Sequence, residues 1–350
     1  TWEVTHVPAA PESLPAIDYR YVPPFRFRWT NTWYGAGDAR TSFIRAHRLR
    51  EPRFGGGFGH NFLTLVPGPE YFADHPEYFG MNPEGERVTV DTWEAYNAPV
   101  SERGFDDVWQ LCMSNPDVPG VIMEKLRQWH DQSPGADFWC VMQEDTDNHC
   151  HCPECKAIDA REGTPMGSML TGINRVAERW AEAFPNKNLM TYAYAYTRTP
   201  PKTLRPHDNL HILLCTIECD FLRPIGPDSS EENVKFYRDL QDWARLTGNL
   251  MVYDYAPNFA AWLRPHPNLH VIVPNLKTYA ANHVQGVFVQ GDALGCGGFP
   301  TLRGYLIARG LWNPDVDHAA AMDEFLTLYF AESAPYLREY IALMTQTALD

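Results

Sequence analysis

The chain has 350 residues, 44% of them hydrophobic, enough for one large domain or two average ones. Its 44 acidic against 29 basic residues give a formal net charge of −15 with no basic block, which excludes a groove of clustered Lys and Arg tracking phosphates. No apolar run approaches the roughly 20 residues that span a bilayer, and eight cysteines in a chain this long do not make a disulfide scaffold.

In chain order, residues 1–20 are Pro-rich and read as an irregular N-terminal arm, beginning at Thr1 without Met or an export-signal pattern, as expected of a processed protein. A rhythm of short apolar runs and helical stretches follows. Strands are predicted at 25–30 (FRFRWT), 137–145 (DFWCVMQED), 188–197 (NLMTYAYAYT), 209–220 (NLHILLCTIECD), 249–256 (NLMVYDYA) and 286–292 (GVFVQGD). Weaker strand signals lie at 60–67 (HNFLTLVP) and 108–115 (VWQLCMSN). Helices are predicted at 120–132, at 169–184 with apolar residues 173, 176, 177, 180 and 184 on one face, and at 231–248, where Gly248 is the stop signal. About eight βα units over roughly 290 residues fit a (β/α)8 TIM-like barrel at 21–315. Residues 316–350 are expected to form extra helices packed on it. There is no internal repeat and no low-complexity segment.

In such a barrel the chemistry sits at the C-terminal strand ends. Those ends carry Trp29, Thr30 and Asn31; His60 and Asn61; Gln143, Glu144 and Asp145; Tyr194 and Tyr196; Glu218 and Asp220; Asp254 and Tyr255; Gln290 and Asp292. Carboxylates, amides and aromatics recur there and lysine is absent, unlike a mixed solvated rim. Any single Asp in this set has an ordinary alternative as a helix or turn cap, notably Asp220 and Asp292. Glu218 follows the apolar run HILLCTI and is harder to assign to capping. Paired carboxylates among aromatics are what glycosidic hydrolysis needs: one protonates the leaving oxygen while the other stabilises or attacks the anomeric carbon. The 11 Trp, 17 Tyr and 18 Phe suit sugar faces, although most of them must serve the core.

Directly after the 137–145 run stands DNHCHCPEC, with Cys150, Cys152 and Cys155. The spacing is compact enough to wrap one tetrahedral zinc, the fourth ligand coming from His149, His151 or a distant cysteine, of which Cys112 is the candidate. Disulfides, either Cys152–Cys155 or one including Cys112, are the alternative, and free thiols in a loop the plainest one. A catalytic zinc is not expected, since thiol-rich sites are closed and no HExxH pattern exists. No cofactor is required for the chemistry.

The segments HPEYFGMNPEGER (75–87), QLCMSNPDV (110–118), QED…CHCPEC, INRVAERW (173–180), YAYAYTRTPPK (192–202), IECDF (217–221), VYDYAPNF (252–259), VQGVFVQGD (284–292) and LRGYLIARGLWNPDVD (302–317) together resemble the bacterial family catalogued as domain of unknown function 4838. Part of that family is glycoside hydrolase family 163, endo-β-N-acetylglucosaminidases acting on complex N-glycans. The resemblance covers roughly residues 60–335. It implies a (β/α)8 barrel, an exported bacterial enzyme (periplasmic, cell-surface or extracellular), and retention of configuration through the substrate's own 2-acetamido group. On that basis Glu218 is expected as general acid/base and Asp145 as the acetamido-orienting residue, with Glu144 as the competing acid. Related hexosaminidases carry an Asp-Glu pair, and the order here is reversed. Gln143, His60, Asn61, Tyr194, Tyr196, Asp254, Tyr255, Gln290, Asp292 and Trp312 are the candidate sugar contacts, with ordinary packing favoured for Trp312. The expected partner is a GlcNAc-containing glycan, with no nucleic acid; spacing says nothing of oligomeric state. The alternatives are an exo-hexosaminidase or an α-glucuronidase-like hydrolase, the latter needing Arg198 or Arg223 to pair the sugar carboxylate; a non-catalytic carbohydrate-binding protein; and a metal-handling protein built on the thiols.

Overall fold

The computed structural model describes residues 18, 20–31, 37–98, 108–292 and 298–350, so nearly all of the expected N-terminal arm lies outside the described residues. The protein is mixed α/β. Seven strands are ordered β1-β7-β6-β5-β4-β3-β2 and lie parallel in every register the structure defines. They are β1 (Phe27–Thr30), β2 (Phe54–Gly55), β3 (Phe138–Cys140), β4 (Asn188–Ala193), β5 (Leu210–Cys215), β6 (Leu250–Tyr255) and β7 (Gly286–Gln290). Six of them fall inside the six strong strand signals. An eighth strand is not found among the described residues, so the eight-unit barrel is supported only as far as a seven-stranded parallel sheet.

The chain divides into two compact units. One comprises 52–217 with 239–251, the other 1–51 with 218–238 and 252–350. In the first, β4 and β5 are buried along nearly their whole length, which is why they read as continuous apolar runs and not as alternating ones. Helix Met166–Ala183 buries Ile173, Val176, Ala177 and Trp180, four of the five positions its spacing selected; Phe184 is its C-cap. Trp180 meets Trp139 of β3 with ring centroids 5.1 Å apart, and both are fully buried. In the second unit Phe27–Thr30 pairs with Gly286–Val289, and Trp29 stacks on Phe288 at 5.3 Å. Residues 316–350 carry two helices, His318–Phe330 and Ala334–Leu349.

Three expectations are corrected. Residues 60–67 carry a short helix, Phe62–Leu65, and no strand, because buried side chains from elsewhere hold its start. Residues 108–115 form only a single antiparallel bridge, Leu111 with Phe79. The segment beyond CHC is not all loop: Pro153–Glu162 is a helix, ended by Gly163 at φ 76°, a conformation that suits glycine. Among the described residues no helix is long and apolar enough to cross a membrane.

Candidate active site at the end of strand β3

The acidic stretch leaves β3 in an unusual way. Beyond Cys140, the backbone is held largely by side chains and less by a neighbouring strand. The Asn61 amide donates to the Cys140 carbonyl at 2.9 Å and accepts from the Met142 N–H at 2.8 Å. Gln110 does the same two residues on: it accepts the Glu144 N–H at 2.9 Å and donates to the Glu144 and Thr146 carbonyls at 3.0 and 2.9 Å. These clamps turn the chain so that consecutive acids face opposite environments.

Glu144 is 7% exposed, and its Oε1 accepts the Leu63 N–H at 2.8 Å. That N–H is one of the donors a helix start leaves without an intrahelical partner, so Glu144 serves the short helix Phe62–Leu65. Gln143 is equally engaged: it is 1% exposed, donates to the Tyr194 carbonyl at 3.2 Å and accepts from the Thr197 hydroxyl at 2.5 Å. Asn61, 7% exposed, is spent on the clamp.

Asp145 is different. Its side chain is 48% exposed, and its Oδ1 accepts the Tyr194 hydroxyl at 2.7 Å. Burial, then the adjacent Asp145 charge, pushes the Tyr194 phenol above its ordinary range, so it stays a donor. His60 lies on the same side. Its Nδ1 is 2.6 Å from the Gln143 carbonyl, which only accepts, so that nitrogen carries a proton and Nε2 faces Asp145 Oδ1 at 3.8 Å. Behind these groups stands an aromatic wall. His60 is 5.3 Å from Tyr192 and 5.7 Å from Tyr194, and Phe58 closes on Tyr192 at 6.3 Å. One accessible carboxylate held by a phenol beside a ring surface suits a sugar whose apolar face stacks while its polar substituents are oriented.

The remaining candidates fall elsewhere. Tyr196 stacks on His149 at 5.1 Å, and its hydroxyl is buried with no hydrogen-bond partner, so it does not join the group around Asp145. In the second unit Glu218 is exposed in the turn three residues past β5, not within the strand. Asp220 caps that turn, accepting the Leu222 N–H at 2.9 Å and pairing with Arg223 at 2.7 Å, which is the ordinary alternative. Asp254 and Asp292 are buried at 8% and 2% exposure. Tyr255 stacks on Tyr253 at 4.5 Å, and the Tyr253 hydroxyl donates to Gln290 at 2.6 Å. Trp312 packs under the Arg48 and Arg28 guanidiniums, 4.6 and 5.4 Å from its ring. The arginines a uronic acid would need are occupied: Arg198 by Asp239 at 2.8 Å and Arg223 by Asp220. Sequence reasoning missed Gln110, Thr197, Phe58 and Tyr192; only Tyr192, within YAYAY, carried a signal.

The division of labour between the acids is testable. Glu144→Ala leaves the Leu63 N–H buried without its acceptor and is expected to cost about 1.5–3 kcal/mol of stability. Denaturant titration should show that loss, with turnover per folded molecule retained. A variant of wild-type stability but without turnover would return the acid role to Glu144.

A family model described as Domain of unknown function (DUF4838) matches residues 1–342. No curated protein matches. Among solved structures, the chain is similar to a mutant O-GlcNAc hydrolase from Thermobaculum terrenum (12% identity, TM-score 0.47, 90% of this chain and 66% of that one). It is also similar to a Bacteroidetes-affiliated GH5 cellulase linked with a polysaccharide utilization locus (10% identity, TM-score 0.37, 61% of this chain and 66% of that one). The chain thus spans just under two thirds of the length of either.

Proposed function

The chain belongs to the DUF4838 family, and on that premise we propose that it is a glycoside hydrolase. Its substrate in this reading is a β-linked N-acetylglucosamine, cut with retention of configuration inside N-glycan-type chains. The observation that carries the reading is Asp145. It is an accessible carboxylate, hydrogen-bonded by Tyr194 and backed by the rings of His60 and Tyr192, while both residues before it are buried and engaged.

The proposed mechanism is substrate-assisted. Asp145 accepts a hydrogen bond from the substrate's acetamido N–H and orients the acetamido oxygen toward the anomeric carbon. That oxygen forms the new C–O bond as the bond to the leaving sugar breaks, and a general acid, the role the sequence resemblance gives to Glu218, delivers its proton to the departing oxygen. Asp145 opposes the positive charge that develops on the oxazolinium ring. Water then attacks the anomeric carbon as that carbon's bond to the acetamido oxygen breaks, and gives its proton to the deprotonated general acid, which restores the substrate's acetamido group and both residues. Tyr194 and His60 hold Asp145 in place; half-buried Phe58 supplies apolar surface, and Tyr192, itself buried, supports these rings from behind. The role of Glu218 rests on the sequence resemblance and on its exposure past β5.

The acetamido group is indispensable in this scheme, and that gives the test. A glycan with a chitobiose linkage is expected to be hydrolysed, and the same glycan with hydroxyl in place of the acetamido group is not. Equal cleavage of both would overturn acetamido participation, and cleavage of neither would overturn the hydrolase reading.

A further inference from the structure

The thiol cluster beside this site is independent of the reading above. Cys112, Cys150, Cys152 and Cys155 are all buried, and their four sulfurs lie within 4.8 Å of one another. We propose that these four thiolates bind one structural zinc ion, which fixes the loop carrying Asp145 to the body of its unit.

The geometry fits that ion. Zinc–thiolate bonds of about 2.3 Å in a tetrahedron put neighbouring sulfurs about 3.8 Å apart, and Cys112 Sγ is 3.7 Å from Cys152 Sγ. A disulfide needs about 2.05 Å; here the sulfurs form a closed group of four, not two bonded pairs, and all four cysteines are free. The ligands come from two parts of the chain. Cys150, Cys152 and Cys155 lie in a row, with Cys152 as N-cap of helix Pro153–Glu162, while Cys112 arrives from the segment bridged to Phe79. Neither histidine is needed: His149 hydrogen-bonds the Asp147 carbonyl through Nδ1 and stacks on Tyr196.

Four thiolates on Zn²⁺ leave a net charge of −2 in a buried place, which requires nearby donors. They are present. The Met81 N–H points at Cys150 Sγ at 3.4 Å, the Cys155 N–H at Cys152 Sγ at 3.4 Å, and Arg87 Nη1 lies 3.6 Å from Cys150 Sγ. The N-terminal end of helix Pro153–Glu162 adds its positive pole. Outer groups of this kind tune and orient metal ligands.

The position of the cluster explains its use. Gln110, which clamps the backbone at Glu144 and Thr146, stands two residues before Cys112, and its own N–H bonds the Asn148 carbonyl at 3.0 Å. From the other side, Gly172 lets helix Met166–Ala183 approach the Met113 carbonyl so closely that a Cβ would clash with it. The zinc closes this frame around residues 144–152.

Elemental analysis and native mass spectrometry of the purified full chain should find one zinc per molecule. The four thiols should resist alkylation until a strong chelator is added. Cobalt(II) in place of zinc should give thiolate charge-transfer bands and the d–d bands of a tetrahedral site, both lost or shifted in Cys112→Ser. Chelation should raise hydrogen exchange at residues 144–152, a readout that needs no substrate. If Cys112→Ser does not fold, the wild-type metal content and cobalt spectrum decide alone. A metal-free folded protein whose four thiols alkylate freely, pairs released only by a reductant, or iron in place of zinc would each overturn the assignment.

Discussion

Asp145→Asn is expected to lower kcat on β-linked N-acetylglucosaminides by about 10²–10³-fold, the scale on which one group placed against developing charge contributes. KM should change little, because the accessible rings of His60, Tyr194 and Phe58 remain. Thermal stability should stay within about 0.5 kcal/mol of wild type, since the side chain is half exposed and an amide oxygen still accepts the Tyr194 hydroxyl. The combination is diagnostic: a structural role would lower stability first, and a ground-state binding role would raise KM alone. Turnover at the wild-type level in Asp145→Asn would contradict the assignment.

Glu218→Gln tests the other half of the chemistry. Loss of a proton donor is expected to cost about 10²–10⁴-fold in kcat on natural glycans, whose leaving sugar is a poor leaving group. A substrate that releases a nitrophenolate needs little protonation, so there the loss should be much smaller. The limb of the pH–rate profile that falls as the acid deprotonates should disappear as well. Equal loss on both substrates with that limb intact would make Glu218 a binding residue. Full activity on the poor leaving group would remove it from the mechanism.

The strands legible in the sequence are those whose backbone pairs with neighbouring strands while both faces are buried. The apolar runs of β4 and β5 follow directly from that environment, as does the heptad-like spacing of Ile173, Val176, Ala177 and Trp180 on their helix. What stayed hidden depends on side chains that reach across the chain. The 137–145 run looks like one long strand, but pairing as a strand stops at Cys140 because Asn61 and Gln110 take over the backbone bonds. The 60–67 run looks like a strand too; Glu144, some eighty residues away, caps it as a helix. The same long-range contacts separated Glu144 from Asp145, which as neighbours in sequence carry equal chemical promise. Cys112 was legible as a partner for CHCPEC because a tetrahedral thiolate site needs a fourth ligand and few other thiols are on offer, and the structure brings its sulfur 3.7 Å from that of Cys152. Glu218 was visible only through its place at the end of an apolar run, and the structure moves it from the strand into the turn beyond.

The most direct test is to incubate the protein with a glycopeptide bearing a biantennary complex N-glycan and weigh the products by mass spectrometry. Cleavage within the chitobiose core is predicted, leaving the peptide with a single N-acetylglucosamine and releasing the rest of the glycan with one water added. A glycopeptide recovered intact, or trimmed one sugar at a time from its outer ends, would contradict the account.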